Sequence, residues 1–93
     1  SERLRQRREA AAAAQARGER EDAVRLWSEL VPDLAELYGP DGWPTESACV
    51  ALGRLTEGGG PAREVAERLR NRHGNRRTRR AVRALRGRRI LLD

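Results

Sequence analysis

The apolar positions of this chain recur at the spacing of α-helices, and no stretch shows the strict alternation of a half-buried strand. The clearest stripe lies in a predicted helix over residues 20–38 and consists of Ala23, Trp27, Leu30, Leu34 and Leu37. Pro32 falls inside this stretch and removes one backbone donor. Because the apolar spacing continues beyond it, we expect Pro32 to bend the helix and not to end it.

Four further helices are predicted from capping residues and breakers. A first helix over residues 2–17 has Ser1 as its N-cap and ends before Gly18. The stretch 39–44 holds two glycines and two prolines, so we expect a turn there that ends at Thr45, the predicted N-cap of a third helix. The inward side of that helix consists of Ala48, Cys49, Leu52 and Leu55.

The C-terminal half continues the same pattern. Pro61 is suited to the first position of a fourth helix that ends near His73. A fifth helix is predicted from about Arg76 to Arg86, with an apolar stripe of Thr78, Ala81, Val82 and Leu85. The fold class predicted for this chain of 93 residues is therefore all-α, with helical hairpins over residues 1–75 and an Arg-rich helix and tail over residues 76–93.

An internal repeat links two of the hairpins. Gly18, Ala23 and Trp27 recur 42 residues later as Gly60, Val65 and Leu69. A glycine in this order makes the tight turn, a small residue lets two helices approach, and a large apolar residue fills the groove between hairpins. We expect these six residues, together with Leu52 and Gly53 of the third helix, to pack the hairpins.

These positions, together with Leu52-Gly53 in the third helix and the linker over residues 38–45, resemble a tetratricopeptide repeat. The long period is similar to the kinesin-light-chain-like variety that is common in actinobacterial proteins. Thr78 and Leu85 echo Thr45 and Leu52, so the fifth helix resembles the start of a third repeat. The resemblance implies about two and a half stacked repeats and a bacterial scaffold module, part of a larger or oligomeric protein, that binds a partner protein in a concave groove.

Composition argues against an enzyme. All 20 basic side chains are arginine, and without lysine neither a Walker phosphate loop nor Schiff-base chemistry can be built. A single cysteine, Cys49, and a single histidine, His73, cannot close a zinc site, and one cysteine cannot form an internal disulfide. We therefore predict no cofactor, no metal, no membrane span and a cytoplasmic location.

Charge is strongly asymmetric along the chain. Residues 1–68 carry a net charge of −3 and residues 69–93 a net charge of +9. The candidate site for an anionic partner consists of Arg76, Arg77, Arg79, Arg80, Arg83, Arg86, Arg88 and Arg89. Guanidinium groups pair with phosphates and with carboxylates, so this cluster leaves two partners open, a nucleic acid and an acidic protein.

The sequence leaves two structural alternatives open, one for Trp43 and one for the apolar stripe of the fifth helix. Trp43, in the turn between Pro40 and Pro44, is expected to clamp the two hairpins together, the alternative being an exposed anchor. The apolar stripe of the fifth helix, with Ile90-Leu91-Leu92, is expected either to pack within the chain or to form a homodimer interface. The functional prediction is a non-catalytic protein-binding module, with nucleic-acid binding by the Arg-rich helix as the alternative.

Overall fold

The computed structural model describes residues 1–87 and confirms the all-α class, with no strand in that part of the chain. Five helices occur in it: α1 Glu2–Ala16, α2 Arg20–Tyr38, α3 Trp43–Thr56, α4 Gly60–His73 and α5 Arg79–Leu85. Pro32 lies inside α2, which continues as one helix on both sides of it, as the uninterrupted apolar spacing predicts. Residues 88–93, including Arg88, Arg89 and the apolar Ile90-Leu91-Leu92, lie outside the described residues.

Helices α2 and α3 form the centre of the molecule. Helix α2 packs against α1, α3 and α4, and α3 packs against α2, α4 and α5. The core between them is built mainly from leucine, valine and alanine, with Leu30, Leu52 and Leu69 among its largest fully buried side chains. Burial of each such leucine stabilises the fold by about 1.5–3 kcal/mol before the entropy cost of folding.

The backbone of helix α1 packs against that of α2 alone, and no Cα atom of α1 lies within 8 Å of one of α3. Its buried residues are the small Ala11 and Ala14. Trp27 of α2 is only 4% exposed, and its indole Nε1 donates a hydrogen bond of 3.1 Å to the side-chain oxygen of Gln15 in α1. Because α1 and α3 stand apart, a groove remains open between them.

The start of α1 agrees with the sequence prediction, whereas the start of α3 does not. Ser1 is the N-cap of α1, as predicted, and accepts from the backbone N–H of Leu4 at 3.3 Å. Helix α3, however, begins at Trp43 with Gly42 as its N-cap, so the prediction of Thr45 as N-cap is wrong. Pro44 is accommodated in the first turn of α3. A backbone N–H at that position would have no intrahelical acceptor, so proline loses no helical hydrogen bond there.

Thr45 instead stabilises the α2–α3 connection through a side-chain hydrogen bond, and Thr78 stabilises the α4–α5 connection in the same way. Both threonines are fully buried. The Thr45 hydroxyl donates to the carbonyl of Gly39, and the Thr78 hydroxyl to that of Gly74, each at 2.8 Å. Gly39 and Gly74 are the C-caps of α2 and α4, so each hydroxyl bonds to the end of the preceding helix. The bond spans six residues from inside α3 in the first connection and four residues from the N-cap of α5 in the second.

The hairpin turn between α3 and α4 is made by different glycines than predicted. The turn consists of Glu57, Gly58 and Gly59, with φ values of 52° and 74° at the first two. Gly60 is already the first residue of α4, so its predicted role in the turn is wrong. Gly18, with a φ of 76°, lies in the turn between α1 and α2 and is exposed. The remaining predicted packing residues are all buried, namely Ala23, Trp27, Leu52, Gly53, Val65 and Leu69.

The apolar stripe of α5 belongs to the core of the chain. Thr78 and Ala81 are fully buried, and Val82 and Leu85 are at most 9% exposed. These four side chains are therefore core and do not form a homodimer interface, whereas the part of that alternative that rests on Ile90-Leu91-Leu92 lies outside the described residues. Leu37 is 53% exposed, so the prediction that it faces inward from α2 is wrong.

Candidate functional site

Three open surfaces of the described chain hold the residues that could bind a partner. The first is a groove of about 520 Å³ with walls from α1 and α3 and a floor from the end of α2. We call it the aromatic groove and define it by the lining residues Leu4, Arg5, Arg8, Leu34, Tyr38, Trp43 and Pro44. Tyr38 is 44% exposed and Trp43 is 68% exposed.

The exposed position of Trp43 contradicts the prediction that it clamps the hairpins. Its ring is held from one side by α1, because the guanidinium carbon of Arg8 lies 5.1 Å from the ring centroid. The same Arg8 donates to the Ser47 hydroxyl at 3.0 Å, so one side chain bridges α1 and α3 across the groove. A cation over an aromatic face restrains the ring while leaving its other face to solvent.

The backbone of the α2–α3 connection fixes the positions of Tyr38 and Trp43 relative to one another. A Cβ atom on Gly42 would come under 3.0 Å from the carbonyl oxygen of Tyr38, so the start of α3 packs directly on the end of α2. Pro40 in the connection is fully buried. The two exposed aromatic residues are therefore presented by a rigid corner and not by a free loop.

The second surface lies between α4 and α5 and carries part of the predicted arginine cluster. Two adjoining hollows of about 290 and 280 Å³ share Arg70, Val82 and Arg86. We call them together the basic cleft and define it by its arginines, Arg63, Arg70, Arg79, Arg83 and Arg86.

The predicted anionic-partner site is thus divided by the fold. Arg79, Arg83 and Arg86 line the basic cleft, whereas Arg76, Arg77 and Arg80 are exposed elsewhere. Arg77 lies 3.9 Å from the carboxylate of Asp41. Arg63 also lines the cleft and was not among the predicted residues. Its spacing of seven residues from Arg70 places both side chains on one face of α4.

Close backbone packing positions α5 and hence the basic cleft. A Cβ atom on Gly53 of α3 would lie under 3.0 Å from the carbonyl oxygen of Ala84, and one on Gly58 would meet that of Arg86. Glycine at these positions lets the C-terminal ends of α3 and α5 touch backbone to backbone. The arginines of α5 are thereby brought beside those of α4.

The third surface, between α2 and α4, is the largest at about 620 Å³, but its charges are largely paired. Arg72 donates to both carboxylate oxygens of Glu36, at 2.9 and 3.1 Å, and the His73 Nε2 lies 3.4 Å from the same carboxylate. The Arg72 guanidinium, through this hydrogen bonding, holds the pKa of Glu36 below its ordinary value. These contacts join the ends of α2 and α4, so we assign this surface a structural role.

Cys49, the only cysteine, lies fully inside the core. Burial, with a smaller contribution from the nearby charge of Glu46, raises the pKa of its thiol to about 12. Because the thiolate is the nucleophilic form, this side chain is inert at neutral pH.

Comparison of the chain with protein-family models, with curated proteins and with solved structures found no match in any of the three. The resemblance to tetratricopeptide repeats therefore stays a prediction from the sequence. Among the helices of residues 1–87, none has the length and apolar character that a bilayer crossing requires.

Proposed function

We propose that this chain is a non-catalytic protein-binding module, a tetratricopeptide-like helical array that holds a segment of a partner protein in the aromatic groove. The observation that carries the proposal is the placement of Tyr38 and Trp43. The chain has only three aromatic residues, Trp27, Tyr38 and Trp43, and two of them are exposed at one groove. Tyrosine and tryptophan are the residues that dominate binding energy at protein interfaces.

The helical architecture supports the proposal in a second way. Helices α3 and α5 are related by an interval of 33 residues, at which Thr45 corresponds to Thr78 and Leu52 to Leu85. Each of these four side chains is buried, and both threonine hydroxyls donate to the C-cap carbonyl of the preceding helix. Repeated helical units of this kind form extended concave surfaces for partner segments.

The chemistry of the groove defines the partner segment. Leu4, Leu34 and Pro44 supply apolar lining next to the aromatic rings, and Arg5 and Arg8 stand on the α1 wall. We expect a bound segment to insert an aromatic or aliphatic side chain between Tyr38 and Trp43. An anchor in a pocket of this kind is typical of segments that bind helical grooves.

The test is a selection, on the immobilised intact chain, of random peptides that lack aspartate and glutamate and so cannot pair with the arginines between α4 and α5. Affinities of the enriched peptides are then measured by fluorescence anisotropy. The variant is Trp43→Ala and its matched control is Leu37→Ala, which removes another exposed apolar side chain near the same end of α2, outside the groove. Both variants should fold, since both side chains are more than half exposed.

We expect the enriched peptides to share an aromatic or aliphatic anchor. Loss of a central aromatic contact costs at least about 2 kcal/mol, which weakens binding to Trp43→Ala by about thirtyfold, while Leu37→Ala changes it less than about twofold. Enriched peptides that bind Trp43→Ala as tightly as the unchanged chain would refute the proposal.

A further inference from the structure

The basic cleft between α4 and α5 differs from the aromatic groove in position and in chemistry. Arg63 and Arg70 come from α4, and Arg79, Arg83 and Arg86 come from α5 and its C-terminal end. We propose that this cleft is a second binding surface, which takes an acidic segment of a partner protein by pairing its carboxylates with these guanidinium groups. This proposal is independent of the aromatic groove.

The charge of the cleft is not balanced by its own lining. No acidic residue lines either of the two hollows. Arg70 lies 3.5 Å from the carboxylate of Glu67, but within residues 1–87 none of the other four arginines has a carboxylate within 4.0 Å. By contrast, Arg7 pairs with Asp33 at 2.7 Å and Arg72 pairs with Glu36. The positive charge of the cleft is thus available to a partner.

The shape of the cleft also favours a peptide. Its arginines come from two packed helices and surround a concave space, whose floor consists of the small or branched apolar side chains Ala62, Ala66 and Val82. A carboxylate that enters this space meets guanidinium groups from both sides, and each can pair with it through two parallel hydrogen bonds. The methylene groups of glutamate or aspartate fit against the apolar floor.

A nucleic acid fits the cleft less well than an acidic peptide. Single-strand binders stack bases on aromatic side chains, and no aromatic residue lines either hollow. A duplex presents its phosphates on a convex cylinder, which would contact the outward-facing Arg76 and Arg80 as readily as the arginines of the cleft. The observations therefore favour carboxylates on a narrow segment, and nucleic acid becomes an outcome of the test.

The experiment measures binding of three fluorescein-labelled probes to the intact chain by anisotropy at low and at moderate salt. The probes are a short peptide of glutamate and alanine, a random-sequence single-stranded RNA and a random-sequence DNA duplex. A peptide with glutamine in place of glutamate reports contributions other than charge.

Two double variants separate the cleft from general positive charge. Arg79→Gln with Arg83→Gln removes two arginines of the cleft. Arg76→Gln with Arg80→Gln removes the same amount of charge outside both hollows, since Arg80 lies in α5 and Arg76 lies in the turn before it. All four side chains are exposed, and circular dichroism verifies that both variants retain their helices.

We expect the glutamate peptide to bind more tightly than either nucleic acid and the glutamine peptide not to bind. The cleft variant should lose at least about tenfold in affinity, because charge-assisted hydrogen bonds are lost, and the control variant less than about twofold. Equal losses in the two variants, tighter binding of either nucleic acid, or no binding of the glutamate peptide at low salt would each overturn the proposal.

Discussion

The close contact between α3 and α5 gives the sharpest prediction about stability, and Gly53→Ala is the perturbation that tests it. Gly53 lies inside α3, and the added Cβ atom would come under 3.0 Å from the carbonyl oxygen of Ala84 and to 3.0 Å from the backbone nitrogen of Gly87. The obstructing atoms are backbone and cannot rotate away. The end of α5 must therefore move away from α3.

The magnitude follows from two opposing effects. Overpacking of a tight contact costs about 1–3 kcal/mol. Alanine in the interior of a helix gains about 0.5–1 kcal/mol over glycine. We expect the free energy of unfolding to fall by about 1–2 kcal/mol, which in a domain of this size lowers the Tm by about 4–16 °C.

Gly60→Ala is the matched control. Gly60 is also helical, but a Cβ atom there would meet nothing within 4 Å. The same substitution should therefore change the free energy of unfolding by less than about 1 kcal/mol, because the gain of alanine over glycine is opposed by the restriction that Pro61 places on the residue before it. Thermal and urea unfolding followed by circular dichroism measure both variants. A Gly53→Ala protein that is as stable as the unchanged chain, or a Gly60→Ala protein that is equally destabilised, would refute the reasoning.

Three further predictions concern side chains whose surroundings are defined. The Cys49 thiol should react with a thiol reagent at neutral pH only after unfolding in urea, and rapid reaction of the native protein would contradict its burial and its raised pKa. Iodide should quench Trp43 and leave Trp27 protected, so that Trp43→Phe abolishes most of the quenching; unchanged quenching in that variant would contradict the assigned exposures. Because Arg72 lowers the pKa of Glu36 in the folded state, their contact stabilises the fold above the ordinary glutamate pKa and is lost as pH falls through the lowered value. Glu36→Gln should therefore be slightly less stable than the unchanged chain at neutral pH and equally stable in acid, as urea unfolding at the two pH values measures; a difference that grows in acid would contradict this sign.

Much of the helical fold could be predicted from the sequence because its signals are local. The stripe of α2, the cap at Ser1 and the breaker at Gly18 each depend on residues within a few positions, and the structure has helices there. The start of α3 was predicted wrongly because Gly39, Pro40 and Gly42 come shortly before Pro44. In that setting a proline in the first turn of a helix cannot be told from a proline in a loop. The start of α5 was placed three residues early because residues 76–78 lie in the turn before it.

The candidate surfaces depended on tertiary packing, which local patterns do not report. Trp43 and Leu37 are exposed, although the sequence pattern predicted that each packs inside the chain. The basic cleft joins Arg63 of α4 to Arg79 of α5, and these helices are brought together by their own packing and by the backbone contact between α3 and α5. The sequence could show that arginines are abundant, but not which of them share one concave surface.

The most direct test of the account is a nuclear magnetic resonance titration of the isotope-labelled chain with a peptide selected on it. If the segment binds in the aromatic groove, we expect a shift of the indole N–H signal of Trp43. We also expect shifts of the backbone amides in α1, at the end of α2 and at the start of α3, while the amides of α4 and α5 stay unchanged. Shifts confined to the arginines of α4 and α5, or an unchanged Trp43 signal in the saturated complex, would contradict the claim that this module binds proteins in its aromatic groove.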